Sequence, residues 1–144
     1  MIKGIFHVGI STPDLGQLVE FYRDLLGFKV MRKFSWPKGI DIADTITGLK
    51  DSAASVVTLE LGETQIELFQ FESPEPRPSE PELRVCDHGL THICLRVKDL
   101  HCEYERLKNA GMRFHCEPQD MGLTWVTYGR DPDGNVVELL EHKE

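Results

Sequence analysis

The stretch HVGISTPDLGQLVEFYRDLLGFKV, residues 7–30, carries the clearest pattern of secondary structure in the sequence. Residues 5–10 are apolar apart from His7 and are followed by Thr12-Pro13, and because proline biases its predecessor to extended geometry, this run predicts a strand. Pro13 and Asp14 then give a helix start signal, and the apolar pattern that follows stops at Gly27. The apolar residues recur at spacings of three and four, as in an amphipathic helix: Leu15, Leu18, Val19, Tyr22, Leu25 and Leu26.

The same order of elements returns in the second half of the chain. HICLRVKDLHCEYERLKNAGMRF, residues 92–114, aligns with the first stretch so that His92 takes the place of His7, and Asp-Leu follows each histidine at the same distance. The halves also end alike, in GETQIELF and GNVVELLE, where a Gly turn runs into a strand that carries Glu67 or Glu138. The sequence therefore predicts an α+β fold made of two copies of a βαβββ unit.

The amino-acid composition of residues 73–88 predicts the boundary between the two copies. Residues 73–88 contain four of the eight prolines and few apolar residues, which favours an extended linker. We expect one domain over 1–144, made of a first module at 1–72, this linker, and a second module at 89–144. A short helix is expected near 40–49.

Charge and cysteine usage narrow the class of protein. The chain has 144 residues, 24 acidic against 16 basic side chains, and a net charge of −8 without a basic cluster. Such a surface repels nucleic acid and anionic lipid, so we expect neither as a partner. The four cysteines form no CxxC pair, which favours reduced thiols. No targeting or membrane segment is recognisable, and a cytoplasmic location is expected.

Strand parity brings four polar residues to equivalent places. Side chains alternate across a strand, so His7 and Glu67 in the first half, and His92 and Glu138 in the second, lie opposite the apolar face that each helix covers. Two imidazoles and two carboxylates suit one divalent ion, Ni, Co, Zn, Mn or Fe, with positions left for water or substrate. On the residues alone, ordinary hydrogen-bonded side chains remain an equal alternative.

The segments FHVGISTPDLGQLVEFYRDLLGF, QIELFQF, GLTHICLRVKDL and RDPDGNVVELLE resemble the vicinal-oxygen-chelate superfamily, which includes glyoxalase I, methylmalonyl-CoA epimerase, extradiol dioxygenases and bleomycin-resistance proteins. The resemblance spans nearly the whole chain. It implies two βαβββ modules that pair into a half-barrel-like curved sheet around one divalent metal ion, held by His7, Glu67, His92 and Glu138. The halves of the site come together within one chain or between two, and a homodimer is implied.

The resemblance also implies a reaction. In glyoxalase I-like lyases and isomerases, a proton moves next to a carbonyl group through a metal-bound enediolate, and a liganding glutamate can carry it. Glu138, with Glu67 as its counterpart, is thus the expected general acid and base of a small-molecule enzyme. The alternative is that both carboxylates only hold the ion.

Other functions of the superfamily remain open. A methylmalonyl-CoA epimerase-like enzyme is one, although Arg130-Asp131-Pro132 stands where that subfamily shows a His-Pro-Lys element. Ser11 likewise stands where compact glutathione-dependent glyoxalases show an arginine. An Fe(II) extradiol dioxygenase could use His7, His92 and Glu138, but Glu67 as a fourth ligand would block a position that it needs. A non-enzymatic drug-binding protein would not require the four ligands.

Four further residues are candidates for contact with the substrate. Phe69, Phe71 and Trp125 are expected to form an apolar wall, with ordinary core packing as the alternative. Arg96 shares the predicted strand face of His92 and could hold a substrate carboxylate, unless it is simply solvent-exposed.

Overall fold

A computed structural model of the chain describes residues 1–77 and 84–143. The chain divides into two compact units, Met1–Pro78 and Ser79–Glu144. Within the described ranges, no helix has the length and apolar character needed to cross a bilayer.

The first unit is a four-stranded sheet with two helices. The sheet order is β1-β4-β3-β2, and β1 and β4 run parallel while the other neighbours are antiparallel. Its elements are β1 (His7–Ser11), α1 (Leu15–Glu20, continued as a π-helical turn over Phe21–Leu25), β2 (Lys29–Trp36), α2 (Asp41–Thr47), β3 (Ala53–Leu61) and β4 (Thr64–Ser73).

The second unit repeats this topology. Its sheet has the order β5-β9-β8-β6, with β7 on β8, and β5 and β9 are the parallel pair. Its elements are β5 (Ile93–Arg96), α3 (Leu100–Asn109), β6 (Arg113–Phe114), β7 (Gln119–Asp120), β8 (Thr124–Arg130) and β9 (Val136–His142). The predicted α+β fold of two βαβββ units is therefore confirmed.

Each sheet buries the face that its long helix covers. In the first unit Leu18 and Tyr22 of the helix and Leu68 of β4 are 0% exposed. In the second unit Leu107 and Leu139 take the corresponding places. The alternation of buried and half-buried residues along β4 and β9 leaves the opposite face of each sheet for polar side chains.

The two long helices begin differently. Asp14 caps α1 as predicted, because its carboxylate accepts a hydrogen bond from the Gln17 N–H at 2.9 Å. Asp99, the equivalent residue, has φ of +58° and makes no such cap. The carboxylate of Glu141 on β9 instead accepts from the N–H groups of Asp99 and Leu100, at 2.7 and 2.8 Å.

Several boundaries differ from the sequence-based expectation. Phe6 precedes β1 and is 71% exposed, so the apolar residues before His7 are not part of the strand. Strand β5 begins at Ile93, after His92, and β7 was not expected. Ser73 ends β4 rather than beginning a linker, and residues 78–83 of the expected linker lie outside the described part. The module boundaries and the cytoplasmic location stay predictions.

Candidate metal centre

His7 and Glu67 form a pair on the uncovered face of the first sheet. Nε2 of His7 lies 3.3 Å from Oε2 of Glu67. The other carboxylate oxygen accepts a hydrogen bond from the Thr58 hydroxyl at 3.1 Å. Glu67 lies opposite Thr58 on β3 and beside Gly9 on β1, and His7 precedes Gly9 by two residues on the same face of β1. Its side chains are partly exposed, and a ligand can reach them.

His92 and Glu138 form the equivalent pair in the second unit. Nε2 of His92 lies 2.9 Å from Oε2 of Glu138, and Nδ1 shares a hydrogen bond with the Thr91 hydroxyl at 2.8 Å. Engagement of one ring nitrogen by a neighbour fixes the ring and leaves the other for a ligand, as is typical of metal-binding histidines. Tyr128, opposite Glu138 on β8, packs on the imidazole with a centroid separation of 5.0 Å.

Each pair has the donor chemistry and spacing of two metal ligands. Atoms about 2.1 Å from one cation lie roughly 3 Å apart when they occupy neighbouring coordination positions. The two N···O separations, 3.3 and 2.9 Å, match that spacing. The imidazole and carboxylate donors therefore fit a divalent ion. In neither unit do the described residues gather three or more His, Cys, Asp or Glu side chains that could hold an ion unaided.

The surroundings of the two carboxylates differ. Where Gly9 stands beside Glu67, Cys94 stands beside Glu138. Burial and the adjacent carboxylate raise the pKa of the Cys94 thiol to about 11, so this thiol is protonated at neutral pH. Burial, followed by the charge of Glu138, also raises the pKa of Tyr128. The Cys94 thiol and the Tyr128 hydroxyl, both next to Glu138, are therefore neutral groups that can act as hydrogen-bond donors.

Phe69 and Phe71 lie on the same face of β4 as Glu67. Their rings stack at 5.9 Å with an interplanar angle of 12°. Sequence reasoning missed two partners on β2: Trp36, edge-on to Phe71 at 6.1 Å, and Phe34, stacked on Trp36 at 6.3 Å. We call these four rings the aromatic platform.

Trp125 belongs to the sheet of the second unit. In β8, Tyr128 is opposite Glu138, so the odd-numbered Trp125 points to the other face of the second sheet. There it contacts His101 of α3 at 4.6 Å, and the Lys143 ammonium lies 4.4 Å from its ring centroid. The register thus places Trp125 on the face opposite to that of Glu138, and a substrate wall shared with Phe69 and Phe71 stays a prediction.

Arg96 lies on the face of β5 that was predicted for it. It follows Cys94 by two residues on β5 and is opposite Leu140, in line with the face that carries Glu138. Its side chain is exposed. A role in holding a substrate carboxylate stays a prediction.

Comparison with known proteins assigns a family to this arrangement. A family model described as the glyoxalase/bleomycin resistance protein/dioxygenase superfamily matches residues 4–139. A probable lactoylglutathione lyase of Synechocystis is 26% identical over 141 residues, which cover 95% of this chain and 94% of the relative. A 2-epi-5-epi-valiolone epimerase of Actinomyces is 29% identical over 151 residues, 94% of this chain and 78% of the relative.

Solved structures support the same fold. A glyoxalase family protein from Bacillus cereus superposes with a TM-score of 0.89 at 20% identity, over 100% of this chain and 97% of that protein. At this identity the likeness establishes the fold and not the reaction.

Proposed function

The chain belongs to the glyoxalase/bleomycin resistance protein/dioxygenase superfamily, and from that membership we propose that it is a divalent-metal-dependent lyase or isomerase of glyoxalase I type, which moves a proton next to a carbonyl group of a small molecule. The observation that carries this proposal is the pair of His–Glu couples at equivalent register positions of two repeated units. Relatives named as a lyase and an epimerase are consistent with proton transfer.

The four side chains would hold one cation, Ni, Co, Zn, Mn or Fe. His7 and Glu67 supply one nitrogen and one oxygen, and His92 and Glu138 supply the same set, within one chain or between the two chains of a homodimer. When bound, such a cation stabilises negative charge that develops on a substrate oxygen beside it.

Glu138 is the carboxylate we assign to proton transfer. Thr58 donates a hydroxyl hydrogen bond to Glu67, which restrains that side chain. Glu138 has the weaker thiol donor of Cys94 beside it instead. Glu138 is therefore the better candidate to take the proton and return it, while Glu67 serves mainly as a ligand.

The test is metal-dependent exchange of solvent deuterium. Protein stripped with a chelator and reloaded with Ni²⁺ or Zn²⁺ is incubated in D₂O with the hemithioacetals that methylglyoxal and phenylglyoxal form with glutathione, and separately with methylmalonyl-CoA. We expect deuterium uptake next to the carbonyl of at least one probe only when metal is bound. Exchange into methylmalonyl-CoA alone would select the epimerase-like function. Absence of exchange into all probes by the loaded protein would contradict the proposal.

Two glutamate variants separate ligand from base. Glu138→Gln is expected to lower exchange at saturating metal by about 10²- to 10⁴-fold, the usual contribution of a positioned acid or base. Glu67→Gln is expected to weaken metal binding but to retain exchange within about tenfold once metal is saturating. The reverse order of effects would assign proton transfer to Glu67.

A further inference from the structure

The aromatic platform adjoins the candidate metal ligands of the first unit. Phe69 follows Glu67 by two residues on β4 and shares its face. Its ring leans over Gly9, the β1 residue beside Glu67, where an added Cβ would lie 3.5 Å from Cε2 of Phe69. A molecule bound at the carboxylate of Glu67 would therefore lie next to this ring.

The platform is not the core of the first unit. The core aromatics are Tyr22 and Phe28, which are 0% and 3% exposed and pack edge to face. All four rings of the platform are only half-buried and lie together on the opposite side of the sheet. A contiguous apolar surface of this kind beside polar ligand groups is typical of a binding site for an organic molecule.

The ring faces accept planar groups. The guanidinium of Arg32, a planar group, lies over Phe34 at 4.5 Å from the ring centroid. Phe69 and Phe71 are nearly parallel to each other, and the same orientation would suit a further stacked ring.

Trp36 is fixed in place by a contact away from the platform. Its indole N–H donates to the hydroxyl of Ser52 at 3.0 Å. The Ser52 backbone N–H is in turn held by the Asp44 carboxylate at 2.7 Å, and hydrogen bonds from Ser52 and Asp51 lower the pKa of Asp44. Because the polar edge of the indole is satisfied there, its apolar surface remains for a ligand.

We propose that the aromatic platform binds a planar ring of the substrate. The substrate class is then an aryl-substituted carbonyl compound whose oxygens reach the His7–Glu67 pair. This assignment rests on the proposed function, because it takes the oxygens to be the reacting end. The aryl group supplies binding and specificity, and none of the four rings takes part in proton transfer.

The experiment compares phenylpyruvate with pyruvate as probes of the intact protein. Calorimetric titration, with metal bound and with chelator present, gives the ratio of their dissociation constants. Burial of a phenyl group predicts at least tenfold tighter binding of phenylpyruvate, and the preference is expected in both conditions. Phe69→Leu and Trp36→Leu are each expected to reduce the ratio by about three- to tenfold. Phe114→Leu, in the second unit, is the matched control and leaves the ratio unchanged.

Two results would overturn the inference. One is phenylpyruvate binding no tighter than pyruvate. The other is an unchanged ratio in the platform variants. A change of assembly mass in those variants, measured by sedimentation, would then show that a second copy of the chain covers the rings. The proposed reaction is tested separately. If the platform variants lose the preference for phenylpyruvate but no deuterium exchange occurs, only the proposed reaction is contradicted. If exchange occurs without a preference for phenylpyruvate, only the proposed substrate class is contradicted.

Discussion

The hydroxyl of Thr58 donates a hydrogen bond to Oε1 of Glu67 across directly opposed positions of β3 and β4. The other oxygen of that carboxylate faces His7. Groups that orient a ligand typically contribute 10- to 100-fold to metal affinity. We therefore expect Thr58→Val, which keeps the shape and removes the donor, to weaken binding of Zn²⁺ about tenfold in competition with a chromophoric chelator.

Thr127→Val is the control for this experiment. Thr127 is also a buried strand threonine, but its hydroxyl donates to the backbone carbonyl of Cys116 at 2.6 Å. Its loss is expected to lower stability and to leave metal affinity unchanged. Equal weakening of metal binding by both variants would mean that Thr58 acts through the fold rather than through Glu67.

The position of Trp125 gives a second prediction. Because its ring packs between His101 and Lys143 on the helix-covered side of the second sheet, Trp125→Leu is expected to lower the melting temperature without altering metal affinity or the preference for phenylpyruvate. The measurements are thermal unfolding and the titrations described for the platform. A loss of aryl preference as large as that of Phe69→Leu would place Trp125 at the substrate after all.

Strand periodicity was sufficient to pair each histidine with its glutamate. His7 and Glu67, like His92 and Glu138, lie within 3.3 Å because each belongs to the uncovered face of its own parallel strand pair. The histidine–glutamate pairing is thus a local consequence of alternation, which the sequence displays. How the couples of the two units combine depends on packing that alternation does not encode.

The platform residues of β2 were missed for a physical reason. The register shifts between Val30 and Arg32. Val30 is therefore opposite the core residue Leu59, while Arg32 is opposite Thr58, which lies on the face of Glu67. Such a bulge exchanges the two faces. Strict alternation from Val30 would place Phe34 beneath the helix, whereas the shifted register places it on the sheet face of Phe69, with Val56 of β3 between the two.

The sheet face on which Trp125 lies could be predicted from the turn at residues 131–134. Arg130 is opposite Val136 across the Asp131–Gly134 turn, and that pairing fixes Tyr128 opposite Glu138. Counting back from the turn assigns Trp125 to the other face.

Gly129 provides a third prediction, on stability. A Cβ at this position would lie 2.5 Å from Cε of Met112 and 3.1 Å from both the Arg113 carbonyl oxygen and Cδ1 of Phe114. The methionine end can move, but the backbone oxygen cannot, so Gly129→Ala is expected to destabilise the protein by about 1–3 kcal/mol. Gly4→Ala, with no atom within 4 Å of its added Cβ, is the control. Urea unfolding measures both, and equal stabilities would show that β6 yields without cost.

The start of α3 supplies the last prediction, a pH dependence. Hydrogen bonds from the backbone N–H groups of Leu100 and then Asp99 hold the pKa of Glu141 below its usual range. An acid whose pKa is lower in the folded state stabilises the fold above its unfolded pKa, about 4.3, and loses this contribution as the pH falls through the folded value. Glu141→Gln is therefore expected to lower the melting temperature by a few degrees at pH 7, with the difference from wild type shrinking below about pH 4 as the wild-type carboxylate protonates. Glu63→Gln, in the exposed β3–β4 turn, should match wild type at both pH values. A gap between Glu141→Gln and wild type that persisted undiminished at pH 2 would show that packing of the side chain, and not its charge, supports the helix.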